Sequence, residues 1–297
     1  MKVVGIVAEY NPFHNGHAYQ INYIKETLHA DYIAAVMSGD FVQRGTPALF
    51  SKQDRAKMAL TCGVDLVLEL PVRVSTSSAE GFASGAVELL HNLGCVDQIC
   101  FGSECGTIEP FLNIASILVN EPEEYKAVLS ACLRQGKSFP EARSLALREY
   151  LSDDSLDEFL SAPNNILGIE YCKALLRLNS SIEPVTLTRS GHDYHDTELS
   201  ENSHPSATAI RQIISTFASG DYTENELKSV LSGQVPSVLL DHVLKLIMEN
   251  SYVPESDLDL LLHHKLLQAV YENTLEDYLD ISPALANRIR NTINAYT

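Results

Sequence analysis

Short runs of apolar residues recur along the first hundred residues, and each run has the length of a buried strand. These runs occupy residues 3–10, 32–37, 65–70 and 98–101. The stretches between them carry apolar residues at helical spacing. They lie around residues 17–29, 51–62 and 78–93. Because strands and helices alternate, the pattern predicts right-handed βαβ units and an α/β fold with a parallel sheet covered by helices on both faces.

The loops that follow the predicted strands define one edge of this sheet. Gly63 and Gly94 stand where the C-cap of a helix favours glycine, which supports the predicted helix ends. In parallel sheets, ligands bind beyond the carboxyl ends of the strands. Residues 11–17, 38–45 and 102–106 fall at that edge. We therefore expect the functional site there.

The middle of the chain is mainly helical. From about residue 107 to residue 178 the pattern predicts helices with breaks at Pro122, Pro140 and Pro163. A fifth strand is predicted at residues 184–189, and a loop rich in His, Asp and Ser follows it.

Only helices are predicted after that loop. They lie at about residues 206–220, 223–231, 236–250 and 257–280. The Leu-rich run "LDLLLHHKLLQAVY" in the last of them predicts a core helix, in which His263 and His264 are not ligands. We place a domain boundary near residue 220. Residues 1–220 form the predicted catalytic region with its helical insertion at 107–178, and residues 221–297 form a helical C-terminal region.

Composition limits the partners. The 297 residues include 21 Lys+Arg against 39 Asp+Glu, a net charge of −18, so a nucleic-acid site has to be a local basic patch. The apolar runs are too short for a signal peptide or a membrane span, which predicts a cytoplasmic protein without a membrane partner. The six cysteines are expected to be free thiols, and Cys95, Cys100 and Cys105 to be core or strand-end residues.

The stretch "NPFHNGH" places two histidines, His14 and His17, around a glycine between the first strand and the first helix. The glycine allows a ligand close to the backbone, and the helix directs free N–H groups and its positive dipole end to the same point. Two imidazoles there suit phosphate oxygens. A zinc site is the weaker interpretation because a third ligand is missing nearby. Neither a P-loop nor a GxGxxG fingerprint is present, so phosphate binding depends on this turn.

"YNPFHNGH" resembles the first signature of the HIGH-type nucleotidyltransferase superfamily, and "SATAIR" (206–211) is similar to the second. The resemblance implies a Rossmann-like (HUP-type) sheet that binds ATP. It also implies that Ser206 and Thr208 cap a helix and that Arg211 meets the triphosphate. Glu9 departs from the Ser or Thr that many small-molecule adenylyltransferases carry at this position. A carboxylate there disfavours an acceptor with its own phosphate.

Several ordered blocks resemble one family more closely, the bacterial tRNA(Met) cytidine acetate ligases. The blocks are "GIVAEYNPFHNGHAYQI", "VMSGDFVQRGTPAL", "KQDRAKMAL", "GVDLVLELP", "FGSE", "PNNILGIEY" and "GHDYHD". The resemblance covers about residues 2–220. It implies an enzyme that activates acetate with ATP to acetyl-adenylate and then acetylates N4 of the wobble cytidine of elongator tRNA(Met). Its partners are acetate and that tRNA, and DNA is not expected among them.

The resemblance also implies which residues contact the nucleotide, with His14 and His17 as the first choice for catalysis. The expected ATP-binding residues are Val7, Ala8, Glu9, Tyr10, Asn11, Pro12, Phe13, His14, Asn15, Gly16, His17, Ala18, Tyr19, Gln20, Gly102, Asn164, Asn165, Arg189, Ser206, Thr208 and Arg211. Asn164 is preferred to Asn165. Mg²⁺ is expected to be held mainly by ATP oxygens, and no metal site of the protein itself is predicted, although "GHDYHD" contains His192, Asp193, His195 and Asp196.

The loop and helix after the second strand are expected to border the acetate, the cytidine or the tRNA backbone. The residues concerned are Asp40, Gln43, Arg44, Lys52, Arg55 and Lys57. The four cations among them form the densest basic patch near the predicted site and suit tRNA phosphates.

Two other functions stay open at this point, a small-molecule adenylyltransferase and a non-catalytic RNA- or nucleotide-binding protein. The final stretch "ALANRIRNTINAYT" turns basic as the chain stops, whereas members of the ligase family usually continue. We therefore expect either a truncated chain or a short member of the family.

Overall fold

The structure is a computed structural model that describes residues 1–153, 156–188 and 206–295. Five strands form its sheet. They are β1 (Val3–Ala8), β2 (Tyr32–Ser38), β3 (Leu66–Leu70), β4 (Gln98–Ser103) and β5 (Glu183–Thr188). Each coincides with a strand that the apolar runs predict, within two residues at either end.

The sheet is parallel throughout and has the order β3-β2-β1-β4-β5. The chain moves outward from β1 to β3 and then returns to the other side of β1, so the strand order reverses between β1 and β4. In such sheets, the carboxyl ends at that switch point flank the ligand-binding crevice. The predicted α/β, Rossmann-like fold is confirmed, and its crevice lies beyond β1 and β4.

The helices between the strands of the sheet cover its two faces, as right-handed crossovers require. The first four are α1 (Asn15–Glu26), α2 (Lys52–Thr61), α3 (Val72–Ser75) and α4 (Ala79–Asn92). Gly63 and Gly94, just after α2 and α4, have φ of 106° and 68°. Glycine is favoured at both positions because a side chain strains this left-handed backbone.

Five helices form the insertion between β4 and β5. They are α5 (Glu109–Asn120), α6 (Glu123–Arg134), α7 (Phe139–Leu151), α8 (Leu156–Ser161) and α9 (Pro163–Arg177). Pro122 precedes α6, Pro140 lies in the first turn of α7 and Pro163 begins α9. Proline fits a first turn because the N–H that it lacks has no partner within the helix. The three predicted breaks are thus helix starts.

The main core lies where α4, α5 and α9 cover the sheet. Phe101 on β4 and Phe111 on α5 meet edge to face, with ring centroids 5.4 Å apart. Gly168 of α9 packs against both rings, and a Cβ atom built there would stand 2.6 Å from each. A glycine is therefore required for α9 to lie so close to the sheet.

A buried ion network joins α9 to its neighbours. Glu170 is 2% exposed and accepts from Arg143 of α7 at 2.7 Å, while Lys173 lies 2.5 Å from the other oxygen of Glu170. Lys173 also reaches Glu80 of α4 at 3.0 Å. Because removing one partner leaves an uncompensated buried charge, this network fixes α9 against α4 and α7. The beginning of α9 contacts the loop that follows β4 at the carboxyl edge of the sheet.

Five more helices follow the residues that the structure leaves undescribed. They are α10 (Ala207–Ala218), α11 (Glu224–Ser232), α12 (Ser237–Met248), α13 (Asp259–Glu272) and α14 (Pro283–Thr292). Residue contacts divide the chain into two compact units, Met1–Ser251 and Tyr252–Thr297. The predicted boundary near residue 220, which separates a catalytic region from a helical one, stays a prediction.

The second unit has a small core of its own, formed by Ala269, Leu275 and Ala286. The predicted Leu-rich helix exists as α13, but the expectation that it is a core helix is wrong. Leu260, Leu261 and Leu262 are 77%, 65% and 58% exposed. The helix contributes only Ala269 to the buried residues of its unit, because the small unit covers one side of it.

The six cysteines are free thiols, as predicted. Cys100 is buried in β4, and Cys95 and Cys105 are exposed near its two ends. Among the helices that the structure describes, none is long and apolar enough to cross a membrane.

Candidate active site

The turn between β1 and α1 lies at the carboxyl edge of the sheet and carries the histidine pair. Tyr10 has a φ of 49°, which turns the chain sharply after β1. Phe13 is fully buried, and the ring of Tyr10 packs against Phe13 and His17 at 4.9 Å between centroids. Aromatic packing therefore holds the turn from beneath. Within the described residues the hydroxyl of Tyr10 is buried without a hydrogen-bond partner, and burial raises the pKa of this phenol.

The two imidazoles are fixed by the backbone of their own turn. Nδ1 of His14 accepts from the N–H of Gly16 at 3.1 Å, and Nδ1 of His17 accepts from the N–H of His14 at 3.2 Å. The rings stack with centroids 3.8 Å apart. A neutral imidazole whose Nδ1 accepts carries its proton on Nε2. Both rings are thus held as Nε2–H donors at the start of α1, where backbone N–H groups also favour an anion.

The rest of the 7–20 segment has mixed environments. Val7 packs against the core, and Gln20 donates to the carbonyl of Cys100 in β4 at 2.9 Å. Tyr19 is 43% exposed on α1. The segment thus contains packing residues such as Val7 and Gln20 as well as the turn that carries the histidines.

Helix α10 brings the second signature to the same turn. Ser206 caps the helix by accepting from the N–H of Ala209 at 3.0 Å. The guanidinium of Arg211 donates to the carbonyl of Asn11 at 2.7 Å and to the hydroxyl of Thr208 at 3.1 Å. Thr208 therefore orients Arg211, and the expectation that it caps the helix alongside Ser206 is wrong. Arg211 places a fixed positive charge beside the histidine turn.

A contact from the α11–α12 turn also reaches the histidine turn. The N–H of Asn15 donates to the carbonyl of Gln234 at 2.9 Å, and its side-chain amide donates to the carbonyl of Gly233 at 3.0 Å. These bonds fix the first residue of α1. No sequence signal predicts them, because both acceptors are backbone carbonyls more than two hundred residues away.

The loop between β2 and α2 is attached to the same turn. The N–H of Gln43 donates to Oε1 of Glu9 at 2.8 Å, and the N–H of Leu49 donates to the side chain of Asn11 at 2.7 Å. Asp40 receives the N–H of Lys52 at 3.0 Å, which places the carboxylate at the start of α2. The loop with Asp40, Gln43 and Arg44 and the turn with the histidines thus form one connected rim of the crevice.

Arg55 lies under this rim. Its side chain is fully buried and donates to the carbonyls of Glu9 at 2.6 Å, Ser38 at 3.1 Å and Phe50 at 3.0 Å, and it also reaches the carbonyl of Gly39. Burial lowers the pKa of Arg55 to about 10, which leaves it charged at neutral pH. The expectation that Arg55 belongs to an exposed basic patch is wrong. Four backbone carbonyls bind its guanidinium inside the protein, three at the ends of β1 and β2 and that of Phe50 just before α2.

The remaining cations of the predicted patch lie on the surface. Arg44 and Lys57 are exposed. Lys52 is partly exposed and pairs with Glu69 at 2.8 Å and with Asp40 at 3.9 Å. The hydrogen bond from Lys52 to Glu69 raises the pKa of this lysine. The patch is therefore smaller and more nearly neutralised than the sequence predicts.

The edge after β4 carries the other predicted contacts. Gly102 lies in β4, opposite Leu187 of β5. Glu104 receives the side-chain N–H of Asn164 at 2.7 Å and the backbone N–H of Asn165 at 3.1 Å. Asn165 in turn accepts from the N–H of Glu104 at 3.1 Å. A carboxylate thus occupies the N-terminus of α9, which its dipole favours. The two asparagines fix the "FGSE" loop beside Gly102.

Arg189 lies outside the described residues. The same holds for the histidines and aspartates of "GHDYHD", which are His192, Asp193, His195 and Asp196. In the part of the chain that the structure describes, no three His, Cys, Asp or Glu side chains are grouped so as to hold a metal ion.

Comparison with known proteins adds to this geometry. The family model described as HIGH Nucleotidyl Transferase matches residues 1–297. A tRNA(Met) cytidine acetate ligase of Clostridium novyi is 44% identical over 290 residues, which cover 97% of this chain and 70% of that protein. The chain belongs to the tRNA(Met) cytidine acetate ligase family.

Other members of the ligase family are also similar to this chain in sequence or in structure. The ligase of Clostridium perfringens is 51% identical over 223 residues, and the match spans 73% of this chain and 56% of that protein. A crystal structure of Thermotoga maritima TmcAL bound with alpha-thio ATP superposes with a TM-score of 0.87 at 36% identity, covering all of this chain and 68% of that one. The apo form of TmcAL gives a TM-score of 0.90.

Proposed function

We propose that this protein activates acetate with ATP to acetyl-adenylate and transfers the acetyl group to N4 of the wobble cytidine of elongator tRNA(Met). The observation that carries the proposal is the rim made by the histidine turn, Arg211 and the β2–α2 loop. It stands at the switch point of a sheet that superposes on TmcAL bound with an ATP analogue.

The nucleotide occupies the crevice beyond β1 and β4 in this proposal. His14 and His17 donate from Nε2–H to phosphate oxygens, and the N–H groups at the start of α1 face the same charge. Arg211 neutralises the triphosphate from α10. Gly102 and the loop fixed by Asn164 and Asn165 border the adenosine. Arg189 is proposed to contact the nucleotide as well. Mg²⁺ enters as part of the substrate, bound to ATP oxygens.

The first reaction requires charge stabilisation more than proton transfer. An oxygen of acetate attacks the α-phosphorus, and pyrophosphate leaves with the electron pair of the broken P–O bond. Negative charge grows on the phosphate oxygens as this happens. Donors that are already in position stabilise that charge without reorganising during the reaction. Because the two histidines are fixed by their own backbone, they are suited to this role.

The second reaction takes place beside the β2–α2 loop. Asp40, Gln43 and Arg44 line the side of the crevice where we place acetate and the cytidine. Arg44, Lys52 and Lys57 then contact the tRNA backbone, with Arg55 supporting the loop from inside. The net charge of −18 makes this small patch the entry point for a polyanion. Since tRNA is the substrate, we place the protein in the cytoplasm.

Acetyl transfer to tRNA tests this proposal. Radiolabelled acetate, ATP and elongator tRNA(Met) are incubated with the full chain, and the label on the tRNA is counted. The same tRNA with uridine in place of the wobble cytidine is the control. The proposal predicts ATP-dependent label on the first tRNA only. Label on neither tRNA, together with nucleotidyl transfer from ATP to a phosphorylated small molecule, would replace the ligase with an adenylyltransferase.

A further inference from the structure

Glu9 is a carboxylate held at the centre of the rim. It follows β1 directly and is partly buried. Its Oε1 accepts the N–H of Gln43 at 2.8 Å. Its Oε2 forms no hydrogen bond with any residue that the structure describes. The first bond fixes the orientation of the carboxylate, and the second oxygen keeps its capacity to accept a proton.

The groups that face Glu9 belong to both sides of the crevice. Arg211 of α10, which donates to the carbonyl of Asn11 next to the proposed phosphate site, interacts electrostatically with Glu9. Arg55 of α2 donates to the backbone carbonyl of Glu9 at 2.6 Å, and Arg44 of the β2–α2 loop and Tyr171 of α9 interact electrostatically with its carboxylate. Glu9 therefore lies between the place proposed for the nucleotide and the place proposed for the cytidine. The acetyl group is transferred from the adenylate at the first place to the cytidine at the second.

The N4 amino group of the acceptor cytidine has to be deprotonated during acetyl transfer. The lone pair of the N4 amino group of cytidine is delocalised into the ring, so this nitrogen is a weak nucleophile. As it bonds to the acetyl carbon it acquires positive charge, and it has to lose a proton to form the amide. A positioned carboxylate within reach of that proton is a suitable general base.

We propose that Glu9 is the catalytic base of the acetyl-transfer step, a role that rests on the function proposed above. The N4–C bond forms, and the bond between the acetyl carbon and the phosphate oxygen breaks. The electron pair of the broken bond goes to AMP. The proton of N4 goes to Oε2 of Glu9, which later returns it to water.

Other carboxylates at this edge are less suited to the role. Asp40 accepts from the backbone of Lys52 at 3.0 Å, and its second oxygen lies 3.9 Å from the ammonium of Lys52. Both oxygens of Glu69 accept from that ammonium at 2.8 and 2.9 Å. Both oxygens of each of these carboxylates already face a donor or a cation, whereas Oε2 of Glu9 accepts no hydrogen bond from the described residues.

The protonation of Glu9 gives the transfer step a pH dependence. Burial raises the pKa of Glu9, although Arg211, Arg55 and Arg44 pull it down. A raised pKa makes the carboxylate a stronger base. The transfer rate should fall as the pH drops through the pKa of Glu9 in the folded protein, because the protonated carboxyl cannot accept the proton of N4.

The test is Glu9→Gln, assayed separately in the two half-reactions. Glutamine keeps an acceptor for the N–H of Gln43 but cannot take a proton. We expect single-turnover acetyl transfer to fall by about 10² or more, the usual size of a lost general base. Acetate-dependent ATP–pyrophosphate exchange should fall far less. The acidic decline of the transfer rate should disappear in this variant and remain in Glu9→Asp.

Glu183→Gln is the matched control, since Glu183 is exposed at the opposite, amino end of the sheet. It changes the net charge equally and should leave both half-reactions as in the wild type. If Glu9→Gln lowers transfer and exchange by the same factor, or keeps the acidic decline, Glu9 is not the base. If the wild type performs neither half-reaction, the proposed ligase function fails instead.

Discussion

The carboxyl ends of β1 and β2 bury a charge, whereas helix α13 of the C-terminal unit exposes apolar side chains. Arg55 is 0% exposed beneath the rim of the crevice, while Leu260 and Tyr271 of α13 are 77% and 92% exposed. The guanidinium donates to four backbone carbonyls, and α13 belongs to a unit with only a small core. Burial thus depends on what the surrounding structure offers, more than on the residue type.

The largest expected effect comes from removing the buried charge. Arg55→Met keeps the length of the side chain but leaves carbonyls at the ends of β1 and β2 without donors. We expect a loss of about 3 kcal/mol or more in the free energy of unfolding, because several buried acceptors each lose a partner at about 1–3 kcal/mol. Urea unfolding measures it.

Lys57→Met, on the exposed side of the same helix, is the control for Arg55→Met. It should stay within about 0.5 kcal/mol of the wild type, as surface substitutions usually do. Equal stabilities of the two variants would show that the rim does not depend on Arg55.

The histidine turn should matter for catalysis more than for stability. His14→Ala or His17→Ala removes an Nε2–H donor from the proposed transition state, so adenylate formation should fall by about 10²–10³, equal to about 2.7–4 kcal/mol. Acetate-dependent ATP–pyrophosphate exchange measures the effect. Asn92→Ala, at the C-terminal end of α4, is the control. Wild-type exchange in both histidine variants would remove the turn from the active site.

Two leucines of the C-terminal unit differ in burial, since Leu275 lies in its core and Leu261 is exposed on α13. Leu275→Ala opens a cavity beside Ala269 and Ala286 and should cost about 2 kcal/mol or more. Leu261→Gln changes a side chain that is 65% exposed and should cost less than about 0.5 kcal/mol. Hydrogen exchange of the α13 amides measures the loss of stability in both variants. A larger cost for Leu261→Gln would mean that this face of α13 is covered in solution.

The smallest effect concerns Glu9 and has a defined sign. Because burial raises the pKa of Glu9, the folded protein binds this proton more tightly than the unfolded chain. The contribution of Glu9 to stability therefore decreases as the pH rises from about 4.3, the unfolded value, through the folded pKa. Glu9→Gln should be more stable than the wild type at pH 7 and equal to it below that window. Urea unfolding at both pH values checks the sign, and a less stable variant at pH 7 would contradict it.

Much of the fold could be predicted from local patterns. Five apolar runs give the five strands, and Gly63 and Gly94 mark helix ends because a positive φ favours glycine. The histidine pair could also be placed at a strand-to-helix turn from local sequence. An apolar run, a glycine and a helical period all occur within one short window.

The contacts that complete the site could not be predicted in this way. Arg55 and Asn15 both bind backbone carbonyls, which every residue carries, so no residue type marks the partner. Thr208 orients Arg211 only because the side chain of Arg211 extends toward the hydroxyl of Thr208, which the sequence does not show. The exposed leucines of α13 follow helical periodicity as a core helix does, and only the size of the surrounding unit distinguishes the two.

Acetate-dependent exchange of labelled pyrophosphate into ATP tests the central claim most directly, because it requires the nucleotide, acetate and the rim of the crevice but no tRNA. We predict exchange with acetate, little exchange when acetate is omitted, and a large loss of exchange in His14→Ala. Absence of exchange with acetate, or equal exchange without it, would contradict the claim that this protein activates acetate at the histidine turn.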